Sequence, residues 1–275
     1  MYSIKKKVGD LELFILKDGQ TEFTEETFNG SSSEEINKLL KLNNRKAIET
    51  NFNAFLIKSG ERKILIDAGA GTLFGPAAGN LSRALDEVGV RSEDITDVIA
   101  THLHPDHIGG MISEDGNAVF GNAGLILTYA EYEFWKDENN FKNNSDDQKL
   151  PLNVLDTYSD RLTLIASEGD IGSGLSAINL PGHTAGHIGV MLSSGDEQFA
   201  IVGDIIHAQY LQIYNPNIGV VFDQDIERAK KSRIKMLDIL SLEEIEFSGG
   251  HILSPALGYI HKDGKGFSWN QSSSD

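Results

Sequence analysis

Three imidazoles and a carboxylate fall within six residues of the segment Thr101-His102-Leu103-His104-Pro105-Asp106-His107. Side chains of these types are metal ligands: imidazole suits zinc and related first-row ions, and a carboxylate tolerates zinc, manganese or iron. If the apolar run ending at Ala100 is a buried strand, the extended chain beyond it sets His102 and His104 on one side, because side chains alternate with a period of two. Pro105 cannot continue a ladder and restricts the residue before it, so a turn there swings Asp106 and His107 towards a neighbouring point. One segment can thus serve two metals. The alternative is a polar surface loop that is merely rich in histidine.

Five further positions share a local pattern, an acid or histidine just after a strand-like run and usually beside glycine. They are Asp67 in Leu-Ile-Asp-Ala-Gly, His183 in Pro-Gly-His-Thr-Ala-Gly-His, Asp204 and His207 in Val-Gly-Asp-Ile-Ile-His, and His251 in Ser-Gly-Gly-His. Glycine permits the sharp turns and close approaches that crowd several side chains round one point. Strand ends are where layered α/β proteins place functional loops. The chain has no cysteine, so any metal is held by histidine and carboxylate. His187 is expected to support a ligand rather than be one, and His261, in a polar tail, to be solvated. Phe74, Trp135 and Phe222 are either core residues or the wall of an apolar pocket.

Short apolar runs separated by turn signals position these residues. Strands are expected at Leu11–Leu16, Asn53–Lys58, Lys63–Asp67, Asp97–Thr101, Leu125–Thr128, Leu175–Leu180, Ile188–Leu192 and Gln198–Val202. Leu81, Ala84, Leu85 and Val88 repeat with helical spacing. A second helix is expected over Asp225–Leu240, with Ile226, Ala229, Met236, Leu237 and Leu240 on one face. A third spans Glu34–Leu42, opened by a serine cap among Ser31–Ser33. Strands and helices mixed along the whole length indicate a layered α/β fold. A single domain over residues 1–275 is expected, with 20–50 and 137–150 as insertions flanking the site.

The formal charge is −17, which repels phosphate backbones and makes nucleic acid an unlikely partner. No stretch has the length of a membrane span, and the N-terminal Met-Tyr-Ser-Ile-Lys-Lys-Lys lacks the apolar run of a secretory signal. A cytoplasmic location (periplasmic or secreted if a leader was removed), no membrane partner and a homodimer are the corresponding expectations.

Asp67, His102-x-His104-x-Asp106-His107, His183, Asp204 and His251, in that order, resemble the motif set of the metallo-β-lactamase superfamily. The resemblance covers about Asn51 to His251 and implies an αββα sandwich with the site at one rim. It implies two divalent metal ions, zinc first and Mn2+, Fe2+ or Co2+ as alternatives. His102, His104 and His183 would hold one ion, and Asp106, His107 and His251 the other. Asp204 would bridge them, with Asp67 behind a ligand imidazole. Leu73-Phe74-Gly75-Pro76, Gly203 to His207 and the stretch from Ser254 to Ile260 with Gly264 to Phe267 further resemble the branch of methyl parathion hydrolase and related lactonases. That enzyme has an apolar residue where this chain has His207, whereas lactonase-like relatives carry histidine or tyrosine near that point. The resemblance therefore implies a hydrolase of lactones or aryl esters in preference to phosphotriesters, attacking with a hydroxide shared by the metals. Asp106 is the expected proton shuttle and His207 an oxyanion contact. An organophosphate (phosphotriester) hydrolase or a glyoxalase-II-like thioesterase of the same fold, and a metal-binding scaffold or sensor without turnover, are the alternatives.

Overall fold

The structure is a computed structural model that describes residues 1–141, 145–264 and 266–272. In chain order, β1 (Ser3–Val8) and β2 (Leu11–Phe23) lead through a short β3 (Phe28–Asn29) to α1 (Ser33–Leu42), β4 (Ile48–Ser59) and β5 (Arg62–Ile66). Then come α2 (Leu81–Glu87), β6 (Asp97–Ile99), α3 (Pro105–Ile108), β7 (Gly124–Thr128), α4 (Tyr129–Lys136), α5 (Ser145–Thr157) and β8 (Leu162–Ile165). The second half runs β9 (Gly169–Gly172), β10 (Leu175–Asn179), β11 (Ile188–Ser194), β12 (Glu197–Ile201), α6 (Gln209–Gln212), β13 (Gly219–Val220), α7 (Ile226–Leu242), β14 (Glu246–Ser248), β15 (Gly258–Asp263) and β16 (Gly266–Gln271).

Two seven-stranded mixed sheets result, ordered β1-β2-β4-β5-β6-β7-β8 and β16-β15-β14-β12-β11-β10-β9, and β3 pairs with β13 in a small ribbon. Alternation along the strands decides which layer each side chain enters. Leu13, Ile15, Phe55 and Ile57 join residues of the second sheet, such as Val190, Leu192 and Phe199, in the core between the sheets. Phe14, Leu16, Ala54 and Leu56 point the other way, into a layer shared with Leu81 and Leu85 of α2 and Val154 of α5. On the second sheet Met236, Leu237 and Leu240 of α7 are buried. The architecture is the expected αββα sandwich. No helix among the described residues is long and apolar enough to cross a membrane.

Local signals account for the helix starts. Ser32 caps α1 by accepting the Glu35 N–H, and Asp225 caps α7 by accepting that of Arg228. Every expected strand has a counterpart, but β6 stops at Ile99 instead of Thr101. The reason is chemical: the Thr101 N–H leaves the ladder and donates to Asp67 Oδ1 at 2.8 Å. The expected insertions are more regular than their polar composition suggests. Residues 20–50 contain the end of β2, α1 and the start of β4, and much of 137–150 is a 3-10 turn (Glu138–Phe141) and the start of α5. Part of the latter, residues 142–144, lies outside the described residues. Pro151 sits inside α5, where a proline ordinarily argues for a break. His261 is exposed, on β15 rather than in a tail.

Candidate metal centre

All the sequence-singled metal-ligating positions lie just past the ends of five strands. β5 and β6 are parallel, as are β12 and β14, and β10 runs with β12 because both are antiparallel to β11. Asp67 follows β5, the histidine-rich segment follows β6, and His183, Asp204 and His251 follow β10, β12 and β14. One rim of the sandwich thus receives them all. Pro105 opens α3 at a position where its missing N–H costs nothing, and the turn parts Asp106 and His107 from the two preceding histidines.

Three overlapping donor groups form there, His102 with His104 and His183, Asp106 with His107, Asp204 and His251, and His183 with Asp204 and His207, the ligand atoms of each lying within 4.8 Å of one another. Asp204 stands between the first two. Its Oδ2 is 2.9 Å from His251 Nε2, 3.1 Å from His107 Nε2, 3.3 Å from His207 Nε2, 3.5 Å from His183 Nε2 and 3.8 Å from His102 Nε2. His104 Nδ1 and His183 Nε2 face each other at 2.9 Å.

The surrounding hydrogen bonds fix the ring tautomers. His107 Nδ1 donates to Asp67 Oδ2 at 2.7 Å, His183 Nδ1 to Asp223 Oδ1 at 3.0 Å and His251 Nδ1 to the Asn51 carbonyl at 2.9 Å. Thr101 Oγ1 donates to Asp67 Oδ2, so its oxygen accepts from His102 Nδ1 at 3.0 Å. In each of these four rings Nδ1 is held by its partner, which leaves Nε2, the atom that faces the cluster, as the position for a metal once any proton there is released. Buried His102 Nε2 and Asp204 Oδ1 have no hydrogen-bond partner. Orphaned acceptors at the focus of an all-histidine and carboxylate donor set are what divalent ions would satisfy, so the residues fit two such ions.

His187 is different. Its Nδ1 donates to the Leu180 carbonyl at 2.8 Å and its Nε2 accepts the Asp204 N–H at 2.9 Å, which uses both nitrogens and pins the backbone of Asp204. Gly203, at φ +53°, makes that approach possible, since a Cβ there would stand 2.4 Å from His187 Nε2. Gly250 serves the same end, because its Cβ would lie 2.5 Å from Asp204 Oδ1.

Sequence reasoning missed two buried acids. Asp223 orients His183 and faces the fully buried Arg233, whose Nη2 lies 3.8 Å away. Glu131, at the start of α4, accepts from both metal-binding loops. Neither could be singled out among 41 acidic residues, because nothing about their local sequence resembles a ligand motif.

Burial holds His102, His104 and His183 well below the usual histidine range, so they are neutral and ready to ligate. Burial also acts on His107 and His251, but nearby carboxylates, Asp204 first, outweigh it and raise both above that range. Protons and metal compete for these two rings. Zinc affinity of the metal-free protein is accordingly expected to fall as pH is lowered, beginning above the ordinary histidine pKa of about 6.5, a trend that calorimetric titration at several pH values would reveal.

The cluster opens into a cavity of about 820 Å³. Asp106, His104, His183, His207 and His251 reach it from the rim, and Phe23, Phe52, Phe74, Phe134, Trp135, Phe141 and Phe222 form its aromatic walls. Phe52 stacks on Phe74 at 5.5 Å, and Phe222 lies 5.8 Å from Phe23 and 6.0 Å from His207. Thr21, Glu22, Asn140 and Asp147 place both site-flanking segments at the same cavity.

The chain is similar to known proteins along this whole frame. The family model described as the Metallo-beta-lactamase superfamily matches residues 49–251. An N-acyl homoserine lactonase of Bacillus cereus is 25% identical over 170 residues, 61% of this chain and 60% of that protein, so the match spans about three fifths of the curated relative. The structure of AidC, a dizinc quorum-quenching lactonase in complex with the product N-hexanoyl-L-homoserine, has a TM-score of 0.92 at 30% identity, covering 98% of this chain and 97% of that one. The hydrolase AbOPH of the beta lactamase superfamily has a TM-score of 0.90 at 27% identity, covering 99% and 98%. Motifs, sandwich and rim agree with these matches: the chain belongs to the metallo-beta-lactamase superfamily.

Proposed function

We propose that this protein is a dinuclear metal hydrolase that opens lactones carrying an apolar tail, with N-acyl homoserine lactones as the substrate class. The observation that carries this reading is the union of the donor cluster with an aromatic cavity that has no lysine or arginine among its described lining residues. Away from the donor cluster the charged residues lining it are Glu22 and Asp147, so a substrate with an anionic group remote from the reacting bond meets like charge, which disfavours nucleic acid and the carboxylate-bearing thioesters of glyoxalase-II-like enzymes. An uncharged lactone ring with an acyl chain meets no such penalty, and its chain can bury against phenylalanine. The similarity to AidC and to the Bacillus lactonase supports the same choice.

His102, His104 and His183 would hold one ion and Asp106, His107 and His251 the other, with Asp204 shared. Divalent ions so held, zinc in this proposal, supply Lewis acidity and a water whose pKa is brought towards neutrality. The chain's residues do the rest. Asp67, Asp223 and Asn51 keep three imidazoles aimed at the centre. Asp106 has a side-chain exposure of 16%, against 2% for Asp204, so it is the carboxylate a substrate can reach and the group that moves the proton to the departing alkoxide. His207 stacks on His251, and its buried Nδ1 has no hydrogen-bond partner. Its Nε2 lies 3.3 Å from Asp204 Oδ2 at the cavity, and the N–H there is the donor we assign to the substrate carbonyl oxygen as charge develops on it.

The test is a panel of acyl homoserine lactones, aryl esters, thioesters and phosphotriesters on zinc-loaded protein. Lactones are expected to be preferred, with kcat/KM rising up to about fourfold per added methylene, the equivalent of about 0.8 kcal/mol of burial. Phe222→Ala should flatten that rise. Preference for a phosphotriester or thioester would overturn the assignment, and two bound metals with no turnover at all would point to a scaffold.

A further inference from the structure

Glu131 is completely buried and forms no ion pair with lysine or arginine among the described residues. Its carboxylate instead collects four donors. Oε1 accepts the Leu103 N–H at 3.0 Å and the Trp135 Nε1–H at 2.7 Å. Oε2 accepts the Thr184 hydroxyl at 2.6 Å and the Gly186 N–H at 3.0 Å. Leu103 lies between His102 and His104, and Thr184 directly follows His183, so the two oxygens grip the two arms of the three-histidine group. Trp135 walls the cavity, with its ring 6.1 Å from that of His104.

A carboxylate is an expensive choice for this place. Burying one without a cation is costly, and a neutral side chain could fill the space. What a carboxylate provides and a neutral side chain does not is two acceptor atoms, each able to take two donors, in one rigid plane. We propose that Glu131 is the positioning residue of the three-histidine half of the centre, fixing the spacing of its two arms and coupling the ion held there to the Trp135 wall. The inference rests on the dinuclear centre proposed above, though not on the identity of the substrate.

Replacement by glutamine leaves one acceptor atom and turns the other into a donor, so one of the two arms must lose its hold. The chain has two tryptophans, and Trp269→Phe leaves Trp135 as the sole tryptophan, excited selectively at the red edge of the absorption band where tyrosine does not absorb. In that background the chelator-stripped protein is titrated with zinc while emission and heat are recorded. The parent is expected to bind two equivalents and to change its Trp135 emission. Glu131→Gln should bind one equivalent at least about tenfold more weakly, the other unchanged, and lose the emission response. Unchanged affinities and an unchanged response overturn the proposal, whatever happens to the melting temperature, because a merely structural role would move only the latter. Should Glu131→Gln fail to fold, Thr184→Val removes one donor to the same carboxylate. A weakening of about threefold on one equivalent is expected there, and an unaltered titration would again overturn the proposal. Lactone turnover takes no part in the readout, so failure of the lactonase reading and failure of this inference are separable.

Discussion

Asp204→Ala is expected to lower kcat/KM for a lactone by about a thousandfold or more and to leave the protein with fewer than two zinc ions per chain. A single oxygen of Asp204 lies within 3.8 Å of five imidazole nitrogens, drawn from four segments of the chain. No other acid among the described residues is so placed: Asp106 approaches His107 and His251, and Asp67 sits behind His107. Without that carboxylate, two divalent ions held by the donor groups would lack the acid proposed to be shared between them. A thousandfold loss corresponds to about 4 kcal/mol of transition-state stabilisation, within the range that charged groups supply in excluded-water sites. Elemental analysis beside steady-state kinetics decides the matter. Full zinc content with nearly unchanged turnover would remove Asp204 from the bridging role.

The largest expected effect on stability comes from Asp223→Ala. Arg233 is fully buried, and burial pushes its pKa down to about 10 against the opposing pull of Asp223, so it remains charged at neutral pH. Its Nη1 donates to the carbonyls of Pro216 and Ile218 and its Nε to that of Ile205, whereas Nη2 has no hydrogen-bond partner and only Asp223 as a counter-charge, at 3.8 Å. Deleting that counter-charge strands a buried cation, at a cost of about 3–5 kcal/mol. For a chain of this size each kcal/mol moves Tm by about 2–4 °C, so a drop of roughly 6–20 °C is expected by thermal melting. The double variant Asp223→Ala with Arg233→Met should recover much of the loss, since it removes the orphaned charge as well. His183 would still lack its orienting partner in the double variant, and its zinc affinity should stay about tenfold or more below that of the parent. Recovery of stability without recovery of affinity separates the two duties of Asp223.

The division between sequence and structure follows from what each residue's signal is made of. Candidate metal ligands are legible in a linear sequence because their chemistry lies in residue type and their geometry in short-range spacing: His102-x-His104 before a proline turn, and an acid or histidine just after an apolar run beside glycine. The same holds for most of the sheets, whose buried runs alternate or persist over several residues, and for α1 and α7 with their caps. The unforeseen β6 ending at Ile99 and the helices α4 and α5 have another origin. Asp67 draws the Thr101 amide off the ladder across 34 positions, and α4 is held in part by the contact of Glu131 with Thr184 across 53.

Asp67 was named by its motif, whereas the supporting roles of Glu131 and Asp223 could not be read from type, since they are two among many carboxylates and acquire those roles only when distant loops converge on them. The cavity has the same character. Phe74, Trp135 and Phe222 were candidates by composition, yet their meeting with Phe23, Phe52, Phe134 and Phe141 above the donor cluster depends on strands and helices from both halves of the fold. By itself the sequence determined the ligand chemistry and the strand ends that carry it. Tertiary structure decided what surrounds that chemistry, because burial, counter-charge and pocket shape are properties of neighbours in space and have no fixed spacing along the chain.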